Sequence, residues 1–360
     1  MYREGYVKLG AVPFLDFAAM LKAAPALARY QAWRSVYSVV SGFVSDEKLR
    51  EALSFHTLLV GGNPMTTSAI YALIHKLERD GGVWFARGGT NQLIAGMAAH
   101  FERIGGTIRL GDAVAAIETK DDRAQRVTTK SGFVQHFDAL ASNADVVRTY
   151  AMLGHRSAER TVKRLRRKAF SPSLFVLHLA TDRIWDVPHH NILFGPRYSG
   201  LLRDIFRGGK LPADPSLYVH NPAASDLTLA PDGQSTLYAL APVPHLGHAS
   251  IDWEKHGPTY ADRIIDLLEE RLLPGLRSRI KDQFHFTPAQ FDTELNSHLG
   301  SAFSLEPLLT QSAYFRVHNR DAHVRNLYFV GAGTHPGAGI PGVVGSAKAT
   351  AGLMIKHLAA

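Results

Sequence analysis

The sequence predicts an α/β chain with a helical front, a strand-rich interior and a glycine-rich strand-to-helix turn near its end. Three observations carry this. In "TTSAIYALIHKLERD" (66–80), Ile70, Leu73, Ile74 and Leu77 recur at i, i+3, i+4 and i+7, which is one face of a helix. "TIRLGDAVAAIET" (107–119) and "RVTTKSGFVQHFDALASNAD" (126–145) alternate in short runs broken by turn residues, as strands do. "NLYFVGAGTHPGAGIPGVVGSAKATAGLM" (326–354) passes from a strand pattern through glycines into a helix pattern.

Taken in order, residues 11–80 read as mostly helical, with Thr66 or Thr67 as the cap of the 66–80 helix. "GGTNQLIAGMAAHFERIGG" (88–106) reads as a helix closed by glycines, and the strands of 107–145 follow. Residues 151–325 mix strands, loops and helices and carry most of the prolines; "YADRIIDLLEERLLPGL" (260–276) is the clearest helix there, ended by Pro274 and Gly275. No internal repeat or low-complexity segment interrupts this order.

The bulk composition bounds the function. At 360 residues the chain can bury a sizeable core, and two domains are expected rather than one. A hydrophobic share of 46% with 20% charged residues is globular rather than disordered. With no cysteine, disulfides, iron–sulfur clusters and thiolate zinc sites are excluded. No apolar run is long enough to cross a bilayer, and the start, "MYREGYVKLGAVPF", lacks the long apolar region of a signal peptide. The formal charge of +8 allows attraction to phosphates or anionic lipid surfaces without establishing either; no nucleic-acid partner is expected. The densest basic run, "HRSAERTVKRLRRK" (155–168), reads either as a solvated helix face or as a patch for a membrane or anionic partner.

"GAGIPG" (337–342) matches G-x-G-x-x-G, yet it does not behave as the usual dinucleotide fingerprint. There the first glycine follows the strand directly, whereas here the strand ends near Gly331. The fingerprint also needs a later acidic residue, and none follows Asp321. A different use survives. Gly331 and Gly333 permit close backbone approach by a planar ligand, and Pro336 and Pro341 stiffen the loop. A helix beginning near Gly342 or Val343 would offer unpaired N–H groups and a positive dipole end. A tight turn before a small-residue helix accounts for the same residues.

The 326–354 stretch resembles the C-terminal flavin motif of bacterial-type phytoene desaturases, within the flavin-dependent amine oxidase and carotenoid desaturase superfamily. "EGYVKLGAVPFLDF" (4–17), "QAWRSVYS" (31–38), "SFHTLLVGGNP" (54–64), "GVWFARGGTNQL" (82–93), "ASNADVV" (141–147), "LAPVPHLG" (240–247) and "GSAFSLEPLLTQSAYFRVHNRD" (300–321) agree. The similarity covers essentially the whole chain. The resemblance implies a Rossmann-like FAD/NAD(P)-binding fold without its first βαβ segment, so that roughly a quarter of the usual chain is absent. The implied division is a helical region with a membrane-facing or lid part (1–82), an incomplete FAD-binding domain (83–150 and 326–360) and a mixed-sheet substrate domain (151–325).

The cofactor implied is FAD. Gly331, Ala332 and Gly333 would line its ribityl and phosphate side, and Ile340, Pro341, Gly342 and Val343 would lead to the helix end facing the ring. Val114 matches the strand whose backbone pairs with adenine; Arg87, Gly88 and Gly89 match a turn near the flavin; Asn143 would close the strand returning to the FAD domain. Without the family these read as a buried strand valine, a loop and a turn-forming Asn. His245, Phe303, Arg316 and His318 are the candidates for contact with substrate. The two histidines read equally as hydrogen-bonded structural residues, and Arg316 as a salt-bridge partner; Val317 stands where family members often have proline. No catalytic acid or base is assigned, and no histidine spacing marks a metal site.

The resemblance implies desaturation of phytoene toward lycopene in carotenoid biosynthesis, by hydride transfer to the flavin. Another carotenoid desaturase, a carotenoid isomerase and an inactive polyene-binding fragment are the alternatives. A linear polyene dissolves in membranes, so a cytoplasmic protein peripherally bound to the inner membrane is expected. "AVPFLDFAAMLKAAPALARYQAW" (11–33) suits an interfacial helix through Phe14, Leu15, Phe17, Met20, Leu21 and Trp33, unless these pack internally.

Overall fold

The computed structural model describes residues 11–359. Residues 1–10, which include the first half of the 4–17 stretch, lie outside the described residues. The described residues form two compact units, one from 11–82, 111–171 and 296–359, the other from 83–110 and 172–295. This division differs from the expected one: 11–82, 151–171 and 296–325 join the unit that holds the glycine-rich turn, and 83–110 joins the unit of 172–295.

In the first unit, helix α1 (Phe17–Arg29) starts where the Asp16 carboxylate accepts the Ala19 N–H at 2.7 Å. Short helices α2 (Val36–Val40) and α3 (Glu47–Ser54) are capped by Ser35 and Asp46. Helix α4 (Leu73–Gly81) is entered through a 3₁₀ turn, Ala69–Ala72, whose N–H groups meet Ser68. Ser68 rather than Thr66 or Thr67 is therefore the cap; Thr67 is buried and its carbonyl is taken by the Val36 N–H. Helix α5 (Thr90–Arg103), in the second unit, ends as its glycines predict: Gly105 has φ 96° and Gly106 N–H reaches back to Phe101 O.

Back in the first unit, β1 (Val114–Lys120), β2 (Arg123–Thr129) and β3 (Val134–His136) form an antiparallel sheet in that order. Residues 107–113 lie outside it. Strand β4 (Leu140–Ser142) leads to α6 (Val146–Met152) and α7 (Arg156–Leu165). On α7, Ala158, Val162 and Leu165 are buried while Arg160, Lys163 and Arg164 are exposed, so the basic run forms the solvated face of an amphipathic helix.

The second unit is built on a five-stranded sheet: β5 (Ser173–Thr181), β6 (His190–Leu193), β7 (Leu217–His220), β8 (Ser235–Val243) and β9 (Ile280–Phe286), in the order β6-β7-β8-β5-β9. Its pairings are all antiparallel among the described residues, so the mixture of strand directions expected here is absent. Between these strands lie α8 (Tyr198–Arg203) and α9 (Trp253–Arg271), and α10 (Pro288–Thr293) follows β9. Helix α9 starts well before the predicted 260, because the Asp252 cap initiates it and the helix tolerates Pro258 near its start. It lies close against the sheet: a Cβ on Gly257 would stand 2.7 Å from His285 Nε2. Phe175, Leu177 and Leu179 alternate on β5 toward Ile264, Ile265 and Leu268 of α9, and this cluster is the unit's core.

The chain returns to the first unit with β10 (Leu327–Phe329) and α11 (Ile340–Leu358). Strand β10 pairs in parallel with β4, Leu327 opposite Leu140, which places the 326–345 segment beside the strands of 107–144 as expected. Leu327 and Phe329 join Ile117, Val127, Val146 and Val162 in this unit's core. Asn326, fully buried, bonds both backbone groups of Ala124 and the carbonyl of Asp138, fixing where β10 begins.

Candidate flavin site

Strands β4 and β10 run side by side in the same direction, and each leads into a helix, α6 and α11. In α/β proteins the ligand crevice opens at the carboxyl ends of such parallel strands. Here those ends are Asn143 and Gly331. They touch closely: a Cβ on Gly331 would lie 2.1 Å from Asn143 Oδ1. Gly331 also has φ 94°, in the left-handed region. Both facts demand glycine at 331.

The turn is tied from behind. The Gly331 N–H donates to Ser346 Oγ at 2.8 Å, and Ser346 Oγ donates to Val343 O. Thr350 Oγ1 donates to Phe329 O at 2.7 Å. Two buried hydroxyls on α11 thus lock the helix to the end of β10. Ser346→Ala leaves a buried N–H without its acceptor, so we expect a loss of about 1–3 kcal/mol, read as a lower denaturant midpoint for unfolding.

Arg316 organises the rest of the loop. Its side chain is buried, and its guanidinium donates to the carbonyls of Ala332 (2.6 Å), Thr334 (3.1 Å), Leu305 (3.2 Å) and Gln311 (3.4 Å). Burial lowers its pKa from the ordinary arginine value, yet arginine keeps its proton in proteins. Asn319 Nδ2 takes the His335 carbonyl at 2.9 Å, and Thr334 Oγ1 donates to Val317 O. Arg316 thus positions the loop, its guanidinium paired with carbonyls rather than with the carboxylate that the sequence allows. Its fork is consumed by carbonyls.

What the loop leaves open suits a flavin nucleotide. The N–H groups of Ala332, Gly333, Ile340 and Gly342 have no hydrogen-bond partner among the described residues. Helix α11 starts at Ile340, two or three residues earlier than predicted, with Pro341 in its first turn and no side-chain cap. No acidic residue neutralises its dipole there. Ser304 Oγ is buried without a partner, 3.1 Å from where a Cβ of Gly333 would sit. Ile340 and Val344 present apolar surface at the same helix end. Donors, positive dipole and apolar surface together fit pyrophosphate and a flat ring.

The other expected residues separate. Val114 opens β1, an edge strand of its sheet, and is exposed rather than buried. Phe303 is half-buried; its N–H donates to Ser171 Oγ, and its Cβ covers Gly61. His318 Nε2 lies 2.9 Å from Tyr314 O. Arg87, Gly88 and Gly89 belong to the second unit, where the Gly88 N–H donates to Asp226 Oδ2 at 2.7 Å. His245 is also in that unit, buried, accepting the Gly247 N–H and stacked on His248. Sequence reasoning missed Ser346 and Asn319. Their only signal was a small polar residue in an apolar helix and an Asn three residues after a basic one.

Residues 2–355 match the family described as flavin containing amine oxidoreductase. The chain belongs to this family. It is 59% identical over 362 residues to a lycopene-forming phytoene desaturase of Paracoccus sp., covering all of this chain and 72% of that protein. It is 55% identical to a lycopene-forming phytoene desaturase of Pseudescherichia vulneris, covering 99% and 73%. A neurosporene-forming phytoene desaturase of Cereibacter sphaeroides is 41% identical, covering 98% and 69%. Among solved structures, an oxidoreductase from Methanosarcina mazei superposes with a TM-score of 0.58 at 16% identity, over 95% of this chain and 73% of that one. At that identity the likeness is one of fold. The family, the parallel β4–β10 pair and the donor-rich turn agree on a flavin cofactor.

Proposed function

We propose that the chain desaturates phytoene with FAD, forming lycopene. The observation that carries this is 59% and 55% identity to lycopene-forming desaturases, over nearly all of this chain and 72% and 73% of theirs, against 41% to the neurosporene-forming one. A bound flavin supplies the hydride acceptor that no side chain can be. The chain's own part is binding and placement. The N–H groups of Ala332, Gly333 and Gly342 and the start of α11 would hold the cofactor there. Arg316 and Ser346 keep that loop in one geometry. Phe303 and His318 of the first unit are offered as polyene contacts, and no acid or base is assigned. Incubation of the FAD-loaded chain with phytoene in vesicles, followed by product separation, tests this. Lycopene supports it; unchanged phytoene, or only its geometric isomers, refutes it.

The substrate lives in a bilayer, and we propose that the protein meets one peripherally, at the cytoplasmic face of the inner membrane. No helix among the described residues is long and apolar enough to cross a membrane. The 11–33 segment divides between its two readings. Phe14 is buried edge-on against His335, whereas Phe17, Leu21 and Trp33 are exposed in a stretch of sequence that also carries Lys22, Arg29 and Arg34. Exposed apolar side chains among basic ones suit an anionic interface. Replacing Phe17, Leu21 and Trp33 together by Ser is expected to lower vesicle binding at least about tenfold, each buried side chain being worth about 1.5–3 kcal/mol. Flotation with anionic liposomes reads this out, and unchanged flotation removes the segment from the account.

A further inference from the structure

Three histidines of the second unit converge at the edge of its sheet. His190 opens the edge strand β6 and pairs directly with His220 at the end of β7; His189 precedes them. One ring nitrogen from each lies within 4.8 Å of the others, and His189 Nε2 approaches His220 Nε2 to 2.7 Å. Residues 31 apart in sequence meet here only because of strand pairing, so no H-x-x-x-H spacing announces them.

We propose that His189, His190 and His220 form a binding site for a divalent transition metal of the zinc class. Imidazole is the ligand such ions prefer, and three protein ligands leave a fourth position for water or a small anion. The surroundings are those of a held ligand set. Ser225 Oγ lies 2.6 Å from His189 Nδ1 and Tyr218 OH 2.7 Å from His190 Nδ1, so both rings are oriented by their other nitrogen, as metal-bound imidazoles are. Phe85 packs edge-on against His189 at 4.5 Å, and Tyr238 covers His220 at 4.6 Å. The buried Asn221 anchors the backbone, its N–H to His189 O and its Nδ2 to the carbonyls of Trp185 and Val187. Nitrogens that share a tetrahedral zinc at about 2.0–2.1 Å stand about 3.3 Å apart, so a small ring rotation at the His189–His220 contact admits the ion. A metal there would clamp the 187–190 segment to β7 at the exposed edge of the sheet.

Equilibrium dialysis of the full chain against Zn²⁺, with metal analysis, tests this. We expect one tightly held zinc per chain, and a loss of about tenfold or more in affinity in each of His189→Ala, His190→Ala and His220→Ala. His136→Ala, in the other unit, should bind as the parent does. Co²⁺ titration of the unaltered chain gives a readout that needs no variant: intense visible bands mark a four-coordinate site. Absence of stoichiometric zinc, zinc retained equally in all three variants, or only the weak bands of octahedral Co²⁺ would each overturn the proposal.

Discussion

Arg316→Ala is expected to cost about 3–5 kcal/mol of stability and to weaken FAD binding about ten- to a hundredfold. The size follows from what the side chain holds. It is fully buried, its four hydrogen bonds all run to backbone carbonyls, and two of those belong to the turn at Ala332 and Thr334. Removing it strands buried acceptors and frees the loop that presents the open N–H groups. Arg316→Lys should recover only part, because an ammonium cannot reproduce a planar fork spanning separate carbonyls. Denaturant unfolding and FAD titration measure the two effects. An Arg316→Ala chain that keeps parental stability and affinity would mean that the loop is held by other contacts.

Gly331→Ala is the second large effect, about 2–4 kcal/mol. A φ of 94° strains any residue with a Cβ, and the new methyl would strike Asn143 Oδ1 at 2.1 Å. The two causes separate experimentally. Adding Asn143→Ala removes the clash but not the strain, so the double variant should regain part of the lost stability and of the FAD affinity. Full recovery would assign the whole effect to the clash; no recovery would assign it to the backbone.

These two positions show what could be read from the sequence. The glycine-rich strand-to-helix turn announced itself, since the strand, glycines and small-residue helix are contiguous, and its parallel partner at 140–142 lay in a recognisable strand pattern. Arg316 was noticed, but its role was not legible, because nothing in "FRVHN" says that its partners are carbonyls of residues 305, 311, 332 and 334. The α9 start was hidden by Pro258, which reads as a breaker until its place near the helix start is known. The join of 83–110 to the unit of 172–295 depends on contacts such as Gly88 to Asp226, 138 residues apart, which no local pattern encodes. The three histidines were missed for the same reason.

The central claim is that the chain holds a flavin that takes the hydride from a linear polyene. An anaerobic single turnover tests it most directly: FAD-loaded chain is mixed with phytoene in vesicles, while oxidised-flavin absorbance and conjugated product are followed together. The expected result is one flavin bleached for each new double bond formed, with both signals lost in Gly331→Ala. Product formed while the flavin stays oxidised, or bleaching with no new conjugation, would contradict it.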